Sequence, residues 1–378
     1  MNNISIMIKP ASSLCNLRCK YCFYTDVAQT RREASYGVMT LSILEKMLEN
    51  IHHSLAPGDQ IHFAFQGGEP SIAGLPFFEK FTALTQSWKE ISVSYSFQTN
   101  ATLLTDDWCQ FFAKYNYLLG ISLDCLPEQH DRSRVTKEGK GTYKIVLNHI
   151  RLLQKYKVDY NILCTLTAPI ARHPQKVWSL LERMDFRYVQ FTPCLADLNQ
   201  QGKNLYALTP QLYADFYQYI FSQWAEQFQR GNYRSIKLFD DLVNLLAFGL
   251  PTSCGIDGHC QPQLIVESNG NVYPCDFYCL DEYLLGNMLT DDLHTLLKRS
   301  RASSSKNAEN SLTLCCTCPY AHFCGGGCKR MRSCVCGDEQ TNFCGQKTLL
   351  DEIMPTLTKI AIREKSLRDE QMLTPLQD

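Results

Sequence analysis

Nineteen cysteines limit what this chain can become, and their placement limits it more than their number. Three occupy one short stretch, Cys15-Asn16-Leu17-Arg18-Cys19-Lys20-Tyr21-Cys22, just past an apolar run at 4–8. Four are scattered between Cys109 and Cys194, and twelve crowd between Cys254 and Cys344. The N-terminus shows no secretory pattern and no run is apolar enough to span a bilayer, so a cytoplasmic protein is expected. A disulfide framework needs an oxidising compartment, so cysteines at this density point to metal ligation. Three thiolates on one loop can hold three irons of a cubane [4Fe–4S] cluster and leave the fourth iron open to a substrate or cofactor. A zinc site usually takes four ligands in two paired spacings, which the triplet does not offer.

The rest of the N-terminal half alternates. β-rich runs at 4–8, 61–65, 93–98, 118–123, 160–166 and 188–192 are separated by segments of helical period at 41–55, 76–88, 106–115, 143–156 and 174–184. In the first helical segment Leu44, Met47, Leu48 and Ile51 share one face. Such alternation implies βαβ units and a parallel sheet, here an α/β fold with a partial (β/α)6 TIM-like barrel. The unusual residues fall after the strands: the cysteine triplet, Gln66-Gly67-Gly68-Glu69-Pro70, Gln98-Thr99-Asn100, Ser122-Leu123-Asp124 and Thr192-Pro193-Cys194-Leu195. In (β/α) barrels that rim carries the chemistry. The paired glycines would let backbone approach a ligand, with loop carbonyls and the Glu69 carboxylate accepting from an ammonium group.

Residues 205–249 read as helical and connective. The aromatic face of Tyr213, Phe216, Tyr217, Ile220, Phe221 and Trp224 is expected to be core packing. The cysteines between Cys109 and Cys194 are expected to be buried apolar residues. From Cys254 onward come C-x5-C (Cys254, Cys260), a β-hairpin over 263–273 turning at Ser268-Asn269-Gly270, Cys275 at its exit, and a helix near 292–299. Then follow Cys315, Cys318, Cys324, Cys328 and a distal Cys344. Eight such thiolates suit two four-thiolate clusters; two zinc sites would use the same ligands, and spacing alone does not separate them. Cys279, Cys316, Cys334 and Cys336 are left over. Asp276, directly after Cys275, is a candidate general base, an N-cap being the commoner role for such a residue. With Lys+Arg 37 against Asp+Glu 38, nothing suggests a nucleic-acid or membrane partner.

The triplet, with Tyr21 before its last cysteine, resembles the radical S-adenosylmethionine (SAM) signature, and the C-terminal cysteines resemble the SPASM auxiliary-cluster domain. Ile8-Lys9-Pro10-Ala11-Ser12-Ser13, Phe63 to Pro70, Asn161-Ile162-Leu163-Cys164, Tyr273-Pro274-Cys275-Asp276-Phe277-Tyr278 and Leu285-Gly286-Asn287 look like anaerobic sulfatase-maturating enzymes. That resemblance implies three [4Fe–4S] clusters: one on Cys15, Cys19 and Cys22 that binds SAM, one on Cys254, Cys260, Cys275 and Cys328, and one on Cys315, Cys318, Cys324 and Cys344. It implies SAM contacts from Tyr21, Gly68, Ser122, Arg134 and Leu195, and Asp276 as the catalytic base. Cys125 departs from the family's usual glycine, and Cys334 and Cys336 form an extra pair. The implied organisation is a radical SAM barrel with its connecting helix over 1–234, the SPASM domain over 235–346, and a C-terminal helix and tail over 347–378. The implied reaction is anaerobic oxidation of cysteine or serine in a sulfatase Cys/Ser-x-Pro-x-Arg segment to Cα-formylglycine, releasing 5′-deoxyadenosine and methionine. A flavodoxin or ferredoxin would be the electron donor. The alternative is a SPASM enzyme that crosslinks a ribosomal peptide.

Overall fold

A computed structural model describes residues 3–198, 204–306, 313–337 and 342–373. Its strands are β1 (Asn3–Lys9), β2 (Gln60–Phe65), β3 (Ser92–Thr99), β4 (Leu118–Ser122), β5 (Tyr160–Leu166), β6 (Tyr188–Pro193), β7 (Ser235–Ile236), β8 (Leu264–Glu267), β9 (Asn271–Tyr273) and β10 (Gly286–Asn287). Helices α1 (Phe23–Thr30), α2 (Leu41–His53), α3 (Leu75–Gln86), α4 (Asp106–Lys114), α5 (Pro127–Ser133), α6 (Tyr143–Lys155), α7 (Ala168–Ala171) and α8 (Pro174–Arg183) lie among the first six strands. The remainder are α9 (Pro210–Gln229), α10 (Lys237–Phe248), α11 (Leu293–Lys306), α12 (Ala321–Cys324), α13 (Arg332–Val335) and α14 (Gly345–Leu373).

The chain forms two compact units, one of residues 1–163, 197–203 and 261–306, the other of 164–196, 204–260 and 307–378. In the first, β1 pairs in parallel with β2, β2 with β3, β3 with β4, and β4 with the start of β5. The register brings Ile8 opposite Phe65, Phe65 opposite Phe97 and Thr99 opposite Ile121, so the C-terminal ends of four strands share one edge. Apolar residues at every second position make these strands: β1 buries Ile4, Ile6 and Ile8, and β2 buries Ile61, Phe63 and Phe65. Phe78 and Phe81 on α3 pack edge-on against Phe65. Each such ring buried is worth roughly 1.5–3 kcal/mol. Helix starts carry their own signals. Thr40 and Thr105 accept from the backbone N–H of Ile43 and Trp108, capping α2 and α4.

Two of the features outside the sequence expectation lie in the first unit's sheet and the helix after the triplet. Helix α1 follows the cysteine triplet directly, where no helix is expected. The hairpin β8–β9 forms as expected, but β8 also pairs in parallel with β1 and so extends the sheet of the first unit. In the second unit β6 and β7 pair in parallel, and Tyr213, Phe216, Tyr217, Ile220, Phe221 and Trp224 of α9 are all buried, as a core face should be. Cys109, Cys125, Cys164 and Cys194 are buried as well. Among the described residues no helix is long and apolar enough to cross a membrane.

Candidate active site and cluster-binding cysteines

The cysteine triplet sits on the loop between β1 and α1. Its backbone is tied down independently of the thiols: Arg18 N–H donates to Val135 O (2.7 Å) and Lys20 N–H to Ser133 O (3.0 Å). Leu17 N–H donates to Cys15 Sγ (3.4 Å), and Asn100 Nδ2 lies 3.8 Å from the same sulfur. Burial pushes the Cys15 thiol up to about 11 and the Cys19 thiol up to about 12. Buried thiols of this kind ionise readily only with an electrophile to bind them, which suits a metal centre.

Gly68 closes over this loop with φ +49°, and a Cβ there would lie 2.2 Å from Leu14 O. An L side chain would therefore have to displace backbone, and the bare backbone is what leaves a cradle beside the triplet. The neighbouring Glu69 is not a free acceptor for a ligand ammonium. Its Oε1 accepts from Ser71 N–H (3.1 Å), Ser71 Oγ (2.7 Å) and Thr99 Oγ1 (2.8 Å), and its Oε2 from Asn100 N–H (2.7 Å). The carboxylate braces the loops after β2 and β3, with both oxygens turned inward.

Tyr21 and Arg134 meet at the carboxylate that closes the rim stretch Ser122-Leu123-Asp124. Asp124, fully buried, accepts from Tyr21 OH on Oδ2 and from Arg134 Nε on Oδ1 (3.2 Å). The Arg134 guanidinium stacks over the Tyr21 ring at 5.4 Å. Ser122, at the end of β4, is buried two residues before Asp124. Leu195 is buried in the second unit.

A second polar centre in the first unit surrounds Asp276. Lys9, at the end of β1 and only 2% exposed, places its ammonium 2.7 Å from Asp276 Oδ1 and 3.9 Å from Glu267 Oε1. It also donates to Cys279 Sγ (3.2 Å), and it lies 4.8 Å from the Tyr24 ring centroid. Burial opposes the charge on Lys9, but Asp276, Cys279 and Glu267 outweigh it and hold its pKa above the ordinary lysine value. Asp276 Oδ2 accepts from Tyr24 OH (2.7 Å) and Gln66 Nε2 (3.1 Å), and Gln66 Nε2 also donates to Tyr24 OH (2.7 Å). Oδ1 is buried and meets the ammonium as an ion pair, without a well-angled hydrogen bond. Arg31 neutralises Glu267 at 2.7 Å. Gly67, with φ +84°, makes room for the lysine stem: a Cβ there would be 2.5 Å from Lys9 Cγ. The sequence marks Gln66 at the rim and Lys9 in a family-like stretch but gives no role to Lys9, Tyr24 or Gln66. Cys279 had been left without a role.

In the second unit, Cys315, Cys318, Cys324 and Cys344 are brought together around α12 and the start of α14, and burial pushes Cys324 up to about 11. The same unit holds Cys254, Cys260 and Cys328. The Cys254 and Cys260 thiols hydrogen-bond, which pulls Cys260 down to about 6 despite burial, and a Cβ on Gly255 would lie 2.9 Å from Cys328 Cβ. Cys275 belongs to the first unit. Among the described residues no three His, Cys, Asp or Glu side chains converge on a single ion. The ligands of a cubane bind separate irons and stand apart around it.

Residues 10–172 match the radical SAM superfamily, and residues 259–319 match an iron-sulfur cluster-binding domain, SPASM. A cysteine-type anaerobic sulfatase-maturating enzyme from Clostridium novyi (strain NT) is 37% identical over 96% of this chain and 98% of its own. One from Clostridium perfringens (strain 13 / Type A) is 39% identical over 96% and 99%. A serine-type enzyme from Bacteroides thetaiotaomicron is 30% identical over 86% and 83%. The solved structure of native anSMEcpe with bound AdoMet and Cp18Cys peptide superposes with a TM-score of 0.87 at 36% identity, covering 96% of this chain and 100% of that one. The SuiB structure bound to precursor peptide SuiA, at 15% identity and a TM-score of 0.60, shares the fold.

Proposed function

The chain belongs to the anaerobic sulfatase-maturating enzymes of the radical SAM superfamily, and from that membership we propose that it oxidises a cysteine in a sulfatase Cys-x-Pro-x-Arg segment to Cα-formylglycine. Cysteine is preferred to serine because the cysteine-type relatives are the more similar. The observation that carries the reading is Asp276, a carboxylate held by the Lys9 ammonium on one oxygen and by Tyr24 and Gln66 on the other.

Cys15, Cys19 and Cys22 would hold the SAM-binding cluster, with Tyr21, Gly68, Ser122, Arg134 and Leu195 around SAM. Cys254, Cys260, Cys275 and Cys328 would hold one auxiliary [4Fe–4S] cluster, and Cys315, Cys318, Cys324 and Cys344 the other. When bound, SAM and the clusters supply a carbon radical that takes a hydrogen atom from the substrate Cβ, and an acceptor for the electron left behind. The chain supplies the proton path and the geometry. Asp276 would accept the substrate thiol proton, with Lys9 against Oδ1 and Tyr24 and Gln66 on Oδ2 fixing the plane of the carboxylate. Loss of one hydrogen atom, one proton and one electron leaves a thioaldehyde, which water converts to the aldehyde with release of hydrogen sulfide. A flavodoxin or ferredoxin is the proposed reductant, and the cytoplasm the proposed compartment.

Lys9 is the positioning residue of this centre. Lys9→Met should lower formylglycine formed per 5′-deoxyadenosine by about a hundredfold, the usual cost of a misplacement of about 1 Å, while leaving the peptide KM nearly unchanged. Lys9→Arg should restore part of that ratio. Quantifying both products from one reaction tests it; equal ratios in wild type and Lys9→Met would remove the lysine from the mechanism.

The function itself is tested by anaerobic reconstitution and incubation with SAM, dithionite and a Cys-x-Pro-x-Arg peptide. Mass spectrometry should find loss of sulfur and a hydrazine-reactive aldehyde. A crosslinked peptide without aldehyde would overturn the proposal.

A further inference from the structure

Five thiols, not four, gather where the distal auxiliary cluster is proposed. Cys336 caps the C-terminal end of α13, with its N–H donating to Arg332 O (2.8 Å), and only 1% of the residue is exposed. Its Sγ lies 3.4 Å from Gly326 O and hydrogen-bonds the Cys344 thiol. The Gly326-Gly327 turn, both residues at positive φ, passes between the thiols without a side chain. A Cβ on Gly326 would lie 3.4 Å from Cys315 Sγ, and one on Gly327 would lie 3.7 Å from Cys336 Sγ. Gly327 N–H also donates to Cys324 O (2.7 Å).

Cysteine is among the most buried residue types and often serves as a small apolar filler. Cys334 shows what that looks like. It is equally buried, two residues away, and the groups acting on it are Ser333, Arg330 and backbone, none of them a cysteine. Cys336 instead faces Cys344, Cys324 and Cys315. A cubane offers four irons, so five thiols at one site exceed what a single cluster can take.

We propose that Cys336 is a second thiolate for the iron otherwise taken by Cys344, able to bind that iron when Cys344 is lost. The exchange balances simply: the Cys336 thiol gives up its proton to solvent as its sulfur binds iron, with no change in oxidation state. This rests on the reading that Cys315, Cys318, Cys324 and Cys344 hold an auxiliary cluster.

The test uses the full reconstituted chain and reads iron, sulfide and the electron paramagnetic resonance of the reduced protein. In the Cys15→Ala/Cys19→Ala/Cys22→Ala background, Cys344→Ala should keep four thiolates and a signal that added cyanide does not shift, as should Cys336→Ala and the control Cys334→Ala, whereas Cys336→Ala/Cys344→Ala leaves three thiolates and an open iron, so cyanide should shift its signal or the cluster should be lost. If cyanide shifts the signal of Cys344→Ala as it does that of the double variant, or both lose the cluster alike, the proposal is overturned. Should Cys344→Ala not fold, Cys344→Ser against Cys336→Ala/Cys344→Ser reads the same competition. The underlying cluster assignment has its own check: Cys315→Ala/Cys318→Ala should lose about four irons, and unchanged iron there would refute the site rather than the role of Cys336.

Discussion

Replacing Cys15, Cys19 and Cys22 together by alanine is expected to abolish 5′-deoxyadenosine formation and to remove about four irons per chain, while the iron bound by the C-terminal cysteines remains. The loop should keep its fold. Arg18 and Lys20 are anchored through backbone to Val135 and Ser133, Leu17 bridges Thr136, and Glu69 N–H donates to Leu14 O at 2.8 Å. Within the triplet, Cys15 Sγ is the sulfur that Leu17 N–H and Asn100 Nδ2 address. Three half-buried thiols become three smaller apolar groups, so no charge is stranded, and thermal unfolding of the metal-free variant should stay close to that of the metal-free parent. The loss is one of ligands and not of structure. Iron and sulfide analysis with chromatographic assay of 5′-deoxyadenosine decides it. Persistent cleavage of SAM by the triple variant would mean that the cleaving centre lies elsewhere.

Where the chain's pattern is local, the sequence discloses it. Period-two apolar runs located β1 to β6 within one or two residues, and the polar residues after them mark the edge where the parallel register gathers the strand ends. Helix α1 is illegible because Phe23–Thr30 buries only Val27 and Ala28, too few to set a period; its placement comes from packing on the cluster of Ile265, Tyr273, Cys279 and Leu280. The parallel pairing of β8 with β1 joins segments far apart in the chain, and no window of sequence encodes a partner at that distance. The role of Lys9 is illegible for the same reason. At the end of an apolar strand it looks like a solvated charge, yet Asp276 and Glu267 arrive from the remote hairpin region to neutralise it in the interior. Glu69 reads as a ligand acceptor beside two glycines, and only the positions of Ser71, Thr99 and Asn100 turn it into a brace. Cys334 and Cys336 cannot be told apart by spacing, since the difference lies in which side of one short helix faces the other thiols.

Asp276→Asn should uncouple the two halves of the reaction. The side chain keeps its shape, so Tyr24 and Gln66 still have something to hold, but the amide cannot match all three of its neighbours. If its oxygen faces Lys9, its NH2 faces Gln66 Nε2, also a donor; if it flips, its NH2 faces the Lys9 ammonium. Lys9 is left with Glu267 at 3.9 Å, a carboxylate already engaged by Arg31, so a buried cation loses its main partner. Breaking such a pair costs about 3–5 kcal/mol, and the variant should unfold at lower temperature by a corresponding margin. The chemical consequence is separate. Among the described residues, the hydrogen bonds and ion pairs of Asp276 go to Lys9, Tyr24 and Gln66 and not to the thiols of the triplet, so 5′-deoxyadenosine should still form. Without a base for the thiol proton, formylglycine should fall by about 10²–10⁴-fold, the range over which a positioned general base acts. A merely structural aspartate would lower both products together as the fold weakens. Measured below the variant's unfolding transition, a fall confined to formylglycine assigns the proton transfer to Asp276, and parallel losses, or full product, would take it away.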